Sequence, residues 1–113
     1  KITECVNFAE EQAKKFGVRA PMVGHLGDGN FHVVLPFDPN KKEMYKQIRA
    51  FNDTLIKKAL ELNGTITGEH GVGLHKKEYL LEEHPDNIPI MKSIKRTLDP
   101  NNIMNPGKIF DLN

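Results

Sequence analysis

The stretch His25-Leu26-Gly27-Asp28-Gly29-Asn30-Phe31-His32 decides how this 113-residue chain is read. Asp-Gly between two alternating runs is a strong hairpin signal, because a type I′ turn requires positive φ at both central residues. The flanking runs, Pro21 to Gly27 and Asn30 to Phe37, alternate with period two. With Asp28-Gly29 as a two-residue turn, Gly27 faces Asn30, Leu26 faces Phe31 and His25 faces His32. Met22, Leu26, Phe31, Val33 and Leu35 then share one face, expected to lie against helices, and both histidines share the other. Residues so opposed have Cβ atoms ~4.5–5.5 Å apart.

Outward from the hairpin the chain reads as helices. Residues 3–16 carry Val6, Ala9, Ala13 and Phe16 at helical spacing, with Thr3 as the expected cap and Gly17 as the stop. A long helix is predicted from Lys41 to Leu62. Its apolar stripe is Met44, Ile48, Phe51, Leu55, Ala59 and Leu62, its capping box Asn40 with Glu43, and its terminator Asn63-Gly64. Thr65 to Thr67 fits a short strand. Lys76 to Glu83 and Asn87 to Leu98 are the last two helices, the second capped by Asp86 with Ile88, Met91, Ile94 and Leu98 facing inward. The fold class is therefore α+β, one antiparallel hairpin with about four helices. An isolated hairpin is marginal in water, so its open edges call for further strands. The chain also begins at Lys1 rather than Met. The expectation is a piece of a longer polypeptide, in which the unpaired edges also permit a homodimer of the piece.

Composition narrows the function. Hydrophobic residues are 38% and charged residues 27%, a globular balance. Sixteen Lys and Arg against fifteen Asp and Glu leave a net charge of +1. That offers no basic field for nucleic acid, which is excluded as a partner. No apolar run reaches the ~20 residues of a membrane span. The single Cys5 makes no internal disulfide and fits a reducing, cytoplasmic location.

Two imidazoles held abreast on rigid strands suit a divalent metal. A third ligand is then needed. Glu69 in the loop Gly68-Glu69-His70-Gly71-Val72-Gly73 is the best candidate, and Asp28 at the hairpin tip is second. The same histidines would equally serve as polar cover on a sheet face. Three glycines in six residues let that loop bend tightly, with Glu69 on a metal and His70 on a substrate proton, or leave it a charged turn in water. The loop's glycine spacing is not that of a dinucleotide fingerprint. His75 and His84 lie in charged stretches and are expected at the surface.

The octapeptide, the glycine loop and the closing Leu98-Asp99-Pro100 through Asn105-Pro106-Gly107-Lys108 together closely resemble the C-terminal part of the FAD-linked oxidases. The subgroup is the one that includes glycolate oxidase, D-lactate dehydrogenase and D-2-hydroxyglutarate dehydrogenase. The resemblance covers essentially the whole chain. It implies a fragment of a ferredoxin-like cap (substrate) domain, with the FAD-binding domain elsewhere. It further implies a small 2-hydroxy acid substrate, FAD, and a divalent metal, zinc or manganese. His25 and His32 match the family's metal-binding histidines, Glu69 the third protein ligand, and His70 the general base beside the flavin. Asn105 matches a segment that returns to the flavin side. The family's substrate-carboxylate arginine and lysine lie upstream, with no counterpart here. The piece is thus expected to be inactive without the rest of its polypeptide, and the complete assembly to be cytoplasmic or peripheral to a membrane. Competing expectations are a stand-alone metal-binding or interaction module without activity, and a metallohydrolase.

Overall fold

A computed structural model describes residues 1–112, in one unit over Lys1–Gly64 and a second from Thr65 onward. Among the described residues there are four α-helices and one two-stranded antiparallel sheet, an α+β composition.

In the first unit, α1 (Ile2–Phe16) and α2 (Lys42–Glu61) pack together. Small residues at Cys5, Ala9 and Ala13 let α2 approach closely, and Ile48 and Phe51 fill the seam. Phe51 is fully buried, and Phe16 meets it edge-on with ring centroids 6.3 Å apart. Burying a Phe completely is worth ~1.5–3 kcal/mol. Burial also pushes the Cys5 thiol above its ordinary pKa, so it packs as a small hydrophobe rather than a reactive thiolate. Lys58 reaches across from α2 to Glu4 at 3.1 Å and lies 5.6 Å from the centre of the Phe8 ring.

The helix ends follow the expected stops better than the expected starts. Gly17 closes α1 in the left-handed region, donating to Lys14 while Val18 donates to Ala13, a Schellman arrangement. Asn63 takes the left-handed position after α2. Thr3 lies inside α1 and does not cap it, and the Asn40–Glu43 box does not form. Asn40 bonds Asp38 instead, and Glu43 bonds Lys46 at 3.3 Å. Both side chains thus find closer partners than the helix start.

The hairpin is present with a different register. Strands β1 (Met22–His25) and β2 (Asn30–Val33) pair Met22 with Val33, Val23 with His32, Gly24 with Phe31 and His25 with Asn30. The connection has four residues, a 3₁₀ turn over Leu26–Asp28 closed by Gly29 at φ 72°. A two-residue type I′ turn would require positive φ at both Asp28 and Gly29. The longer turn leaves that demand on Gly29 alone. Leu26 consequently leaves the strand and is 62% exposed, a correction to its expected core position. Because the slip is two residues, the faces are kept, with Met22, Phe31 and Val33 half-buried on one and both histidines on the other.

The second unit contains α3 (Lys77–Glu83) and α4 (Ile88–Leu98). Thr65 to Thr67 is not a strand, because side chains take both backbone groups of buried Ile66. Its N–H donates to Glu83 at 3.1 Å and its carbonyl accepts from Lys76 at 2.9 Å. Asn87 rather than Asp86 is the N-terminal flanking residue of α4, without a side-chain cap, and Pro89 occupies its first turn. Ile88 is buried and Met91 half-buried as expected, but Ile94 and Leu98 are 55% and 76% exposed. The inward stripe therefore ends after the first turn of α4. Asp99, 6% exposed, accepts the N–H groups of Ile103 and Met104 at 3.0 and 2.9 Å and pairs with Lys95. The hydrogen bond from Lys95, seconded by those amides, holds its carboxyl below the usual carboxylate range.

Candidate functional site

The hairpin sets the first pair of candidate residues. His25 ends β1 and pairs across the ladder with Asn30, while His32 stands two residues further along β2 opposite Val23. They are diagonal neighbours on one face rather than directly opposed, yet diagonal residues remain within reach of long side chains. Their ring centroids lie 6.0 Å apart at an interplanar angle of 87°. A nitrogen of one ring lies within 4.8 Å of a nitrogen of the other. Two ligands at ~2.0–2.1 Å on one tetrahedral ion sit roughly 3.3 Å apart, so holding one cation would require rotation about the side-chain torsions to bring these donors closer. Gly24, between the strands' faces, allows this close hairpin. A Cβ there would meet the Asn30 carbonyl and the Phe31 Cα at 2.6 Å. Asp28, the second-choice ligand, lies in the 3₁₀ turn beyond the ladder.

The second group lies in the other unit. Gly68, Gly71 and Gly73 all take positive φ, at 41°, 71° and 54°. The loop's path thus requires glycine at each of the three places where the sequence has it. Glu69 and His70 stand between them, Nε2 of His70 3.5 Å from a Glu69 carboxylate oxygen, with side chains 49% and 74% exposed respectively. An accessible imidazole and carboxylate on a bent, glycine-paced backbone can accept a proton and a cation respectively. His75 is exposed as expected, and His84 is half-buried with Nε2 3.3 Å from Glu83.

Asn105 lies in the tail of the same unit, exposed and at φ 46°. The tail returns to the glycine loop, where the Ile109 N–H donates to the Gly73 carbonyl at 2.8 Å. Lys77 holds it from α3, donating to the Gly107 carbonyl at 3.2 Å and to Asp111 at 2.7 Å. Sequence reasoning singled out the loop and the tail but missed the lysines that tie them. A cue existed, because two cations at a helix start oppose its macrodipole and so point to partners elsewhere.

Comparison with known proteins bears on the same motifs. The family described as FAD linked oxidases, C-terminal domain, matches residues 1–109. A probable mitochondrial D-lactate dehydrogenase of Danio rerio is 46% identical over 96 residues, covering 84% of this chain and 19% of its own length. Glycolate oxidase subunit GlcD of Bacillus subtilis is 43% identical over 112 residues, 97% of this chain and 24% of that protein. D-2-hydroxyglutarate dehydrogenase of Stutzerimonas stutzeri is 42% identical over 90 residues, 77% of this chain and 19% of that protein. The chain spans about a fifth to a quarter of the length of these curated relatives. Among the described residues no helix is long and apolar enough to cross a membrane. Matched over nearly its full length, the chain belongs to the FAD-linked oxidases, in their C-terminal domain.

Proposed function

We propose that this chain is the C-terminal part of a flavin-dependent D-2-hydroxy acid dehydrogenase of glycolate or D-lactate type, and part of its cap domain. The observation that carries the assignment is the His25–His32 pair on one face of the hairpin, in a member of a family defined by FAD. His25 and His32, with Glu69 as third ligand, hold a divalent ion, zinc or manganese. The softer imidazole donors favour zinc, and a redox-silent role admits manganese. When bound, the ion supplies Lewis-acid polarisation of the substrate hydroxyl and carboxylate, and FAD supplies the hydride acceptor.

The residues of this chain do the rest. Oxidation of a 2-hydroxy acid to a 2-oxo acid removes a proton from the hydroxyl and a hydride from its carbon. His70 takes the hydroxyl proton on an imidazole nitrogen, a role worth ~10²–10⁴-fold in rate. The Glu69 carboxylate lies 3.5 Å from Nε2 of that imidazole. The tail turn with Asn105 lies on the flavin side. Further strands of a ferredoxin-like sheet cover the open hairpin edges, and the piece is inactive without the flavin-binding portion.

The test uses the full-length polypeptide, assayed by dye reduction with glycolate, D-lactate and D-2-hydroxyglutarate. His70→Asn is expected to abolish turnover with metal content intact, and His25→Ala or His32→Ala to lose both. Metal loss with unchanged turnover would overturn the role given to the histidines.

A further inference from the structure

The glycine loop is bent at three positive-φ positions, and the Glu69 and His70 side chains it carries are exposed. Its two ends are fastened. On the entry side, the Ile66 carbonyl accepts from Lys76 at 2.9 Å and its N–H donates to Glu83 at 3.1 Å. On the exit side, the Gly73 carbonyl accepts from the Ile109 N–H at 2.8 Å. Ile109 makes that bond at φ 71°, a left-handed conformation that a β-branched residue rarely adopts. Something must hold the tail in that shape. Lys77 does so with bonds to Gly107 and Asp111 on the two sides of Ile109. Two adjacent lysines at the start of α3 thus grip the loop by opposite ends, Lys76 directly and Lys77 through the tail.

We propose that Lys76 and Lys77 are positioning residues that fix His70 for proton transfer, Lys77 by latching the tail turn onto Gly73. The chemistry assigned to His70 rests on the functional reading above, while the latch itself does not. A misplacement of ~1 Å at a reacting group costs about 10²-fold in rate. That sets the scale for releasing one end of the loop.

The experiment uses the full-length flavoenzyme with Lys77→Met, Lys77→Arg, Asp111→Asn and Lys76→Met. Amide hydrogen exchange at Gly71, which donates to the Thr67 carbonyl, and at Ile109, which donates to the Gly73 carbonyl, reads the latch. The split between kcat and KM reads the positioning. For Lys77→Met we expect exchange at these amides at least ~10-fold faster, reporting local opening. Turnover should fall between tenfold and about a hundredfold, with KM within about twofold. Flavin absorbance and metal content are expected to stay at wild-type values. Lys77→Arg, which keeps the charge and the donors, should recover most of both effects. Asp111→Asn, at an exposed position that poses no folding hazard, should give a smaller change in the same direction. Unchanged exchange in Lys77→Met and Asp111→Asn would overturn the latch. Faster exchange with unchanged kcat, or a change confined to KM, would overturn the positioning role. A wild-type enzyme that oxidises no 2-hydroxy acid would sink the functional reading, and the exchange comparison would still decide the latch.

Discussion

Replacing Gly24 by Ala tests the link between the hairpin's backbone and the histidine pair. The added Cβ would stand 2.6 Å from the Asn30 carbonyl oxygen and the Phe31 Cα, and 2.8 Å from the Phe31 Cβ. Two of these three atoms are backbone, so no rotamer change relieves the clash. Bringing them out to the 3.4 Å of ordinary contact displaces β2 from β1 by about 0.8 Å. Overpacking of this kind costs ~1–3 kcal/mol. The displacement acts where His25 and His32 flank the Gly24–Phe31 pair. Metal–ligand distances hold to within about ±0.2 Å, so at the proposed shared ion a backbone shift four times larger has to be taken up by strained side-chain torsions. The expected loss of zinc affinity is comparable to that from removing a supporting group around a metal, about 10–100-fold. Competition against a calibrated chelator in the full-length protein measures it. Gly27→Ala is the control, since a Cβ there meets nothing within 4 Å and the residue has ordinary φ. Gly24→Ala binding zinc within twofold of wild type, while Gly27→Ala behaves the same, would refute the reasoning.

Phe51→Ala should destabilise the first unit by ~3–5 kcal/mol, read as a fall in denaturant midpoint, because its ring is fully buried against Phe16. Gly29→Ala should cost roughly 1–2 kcal/mol for its left-handed φ despite open space around it, and Gly29→Asn less, since Asn visits that region. Asp99, whose carboxyl is held below its ordinary range, stabilises the Ile103–Met104 turn above the unfolded carboxylate pKa and loses that contribution as pH falls through the lower folded value. The protection factors of the Ile103 and Met104 amides, exchange rates corrected for the intrinsic pH dependence, should therefore fall at acid pH in the wild type, and that acid step should vanish in Asp99→Asn.

Elements with strong periodicity were legible, and features decided by competition between side chains were not. The stripe of α2 and the small-residue face of α1 placed the seam at Ile48, Phe51, Ala9 and Ala13 from spacing alone. Helix stops at Gly17 and Asn63 were readable because a left-handed residue has few alternatives. Starts failed because a capping side chain has many. Asn40 found Asp38, and Glu43 found Lys46, partners close in sequence that compete with the predicted cap. Thr65–Thr67 failed for a related reason, since a strand signal does not reveal that Glu83 and Lys76 have already claimed the backbone of Ile66. At α4, helical spacing identified Ile94 and Leu98 as apolar partners of Ile88, but spacing does not say where the covering surface ends.

The histidine pair came through an error in register, and the reason is geometric. Side chains on a strand alternate with period two, so a slip of one residue exchanges the faces and a slip of two restores them. The choice between a two-residue turn and the observed four-residue turn changes which residues are directly opposed, from His25–His32 to His25–Asn30 and Val23–His32. It does not change which face either histidine occupies. What the slip alters is separation, from an opposed pair to a diagonal one, and imidazole is long enough to span the difference, as the 6.0 Å between ring centroids shows. Chemistry that depends only on a shared face is therefore readable from alternation even when the turn is misjudged. A pair of Asp or Ser residues at the same two positions would be too short to meet across the diagonal, and there the same two-residue slip would have destroyed the site.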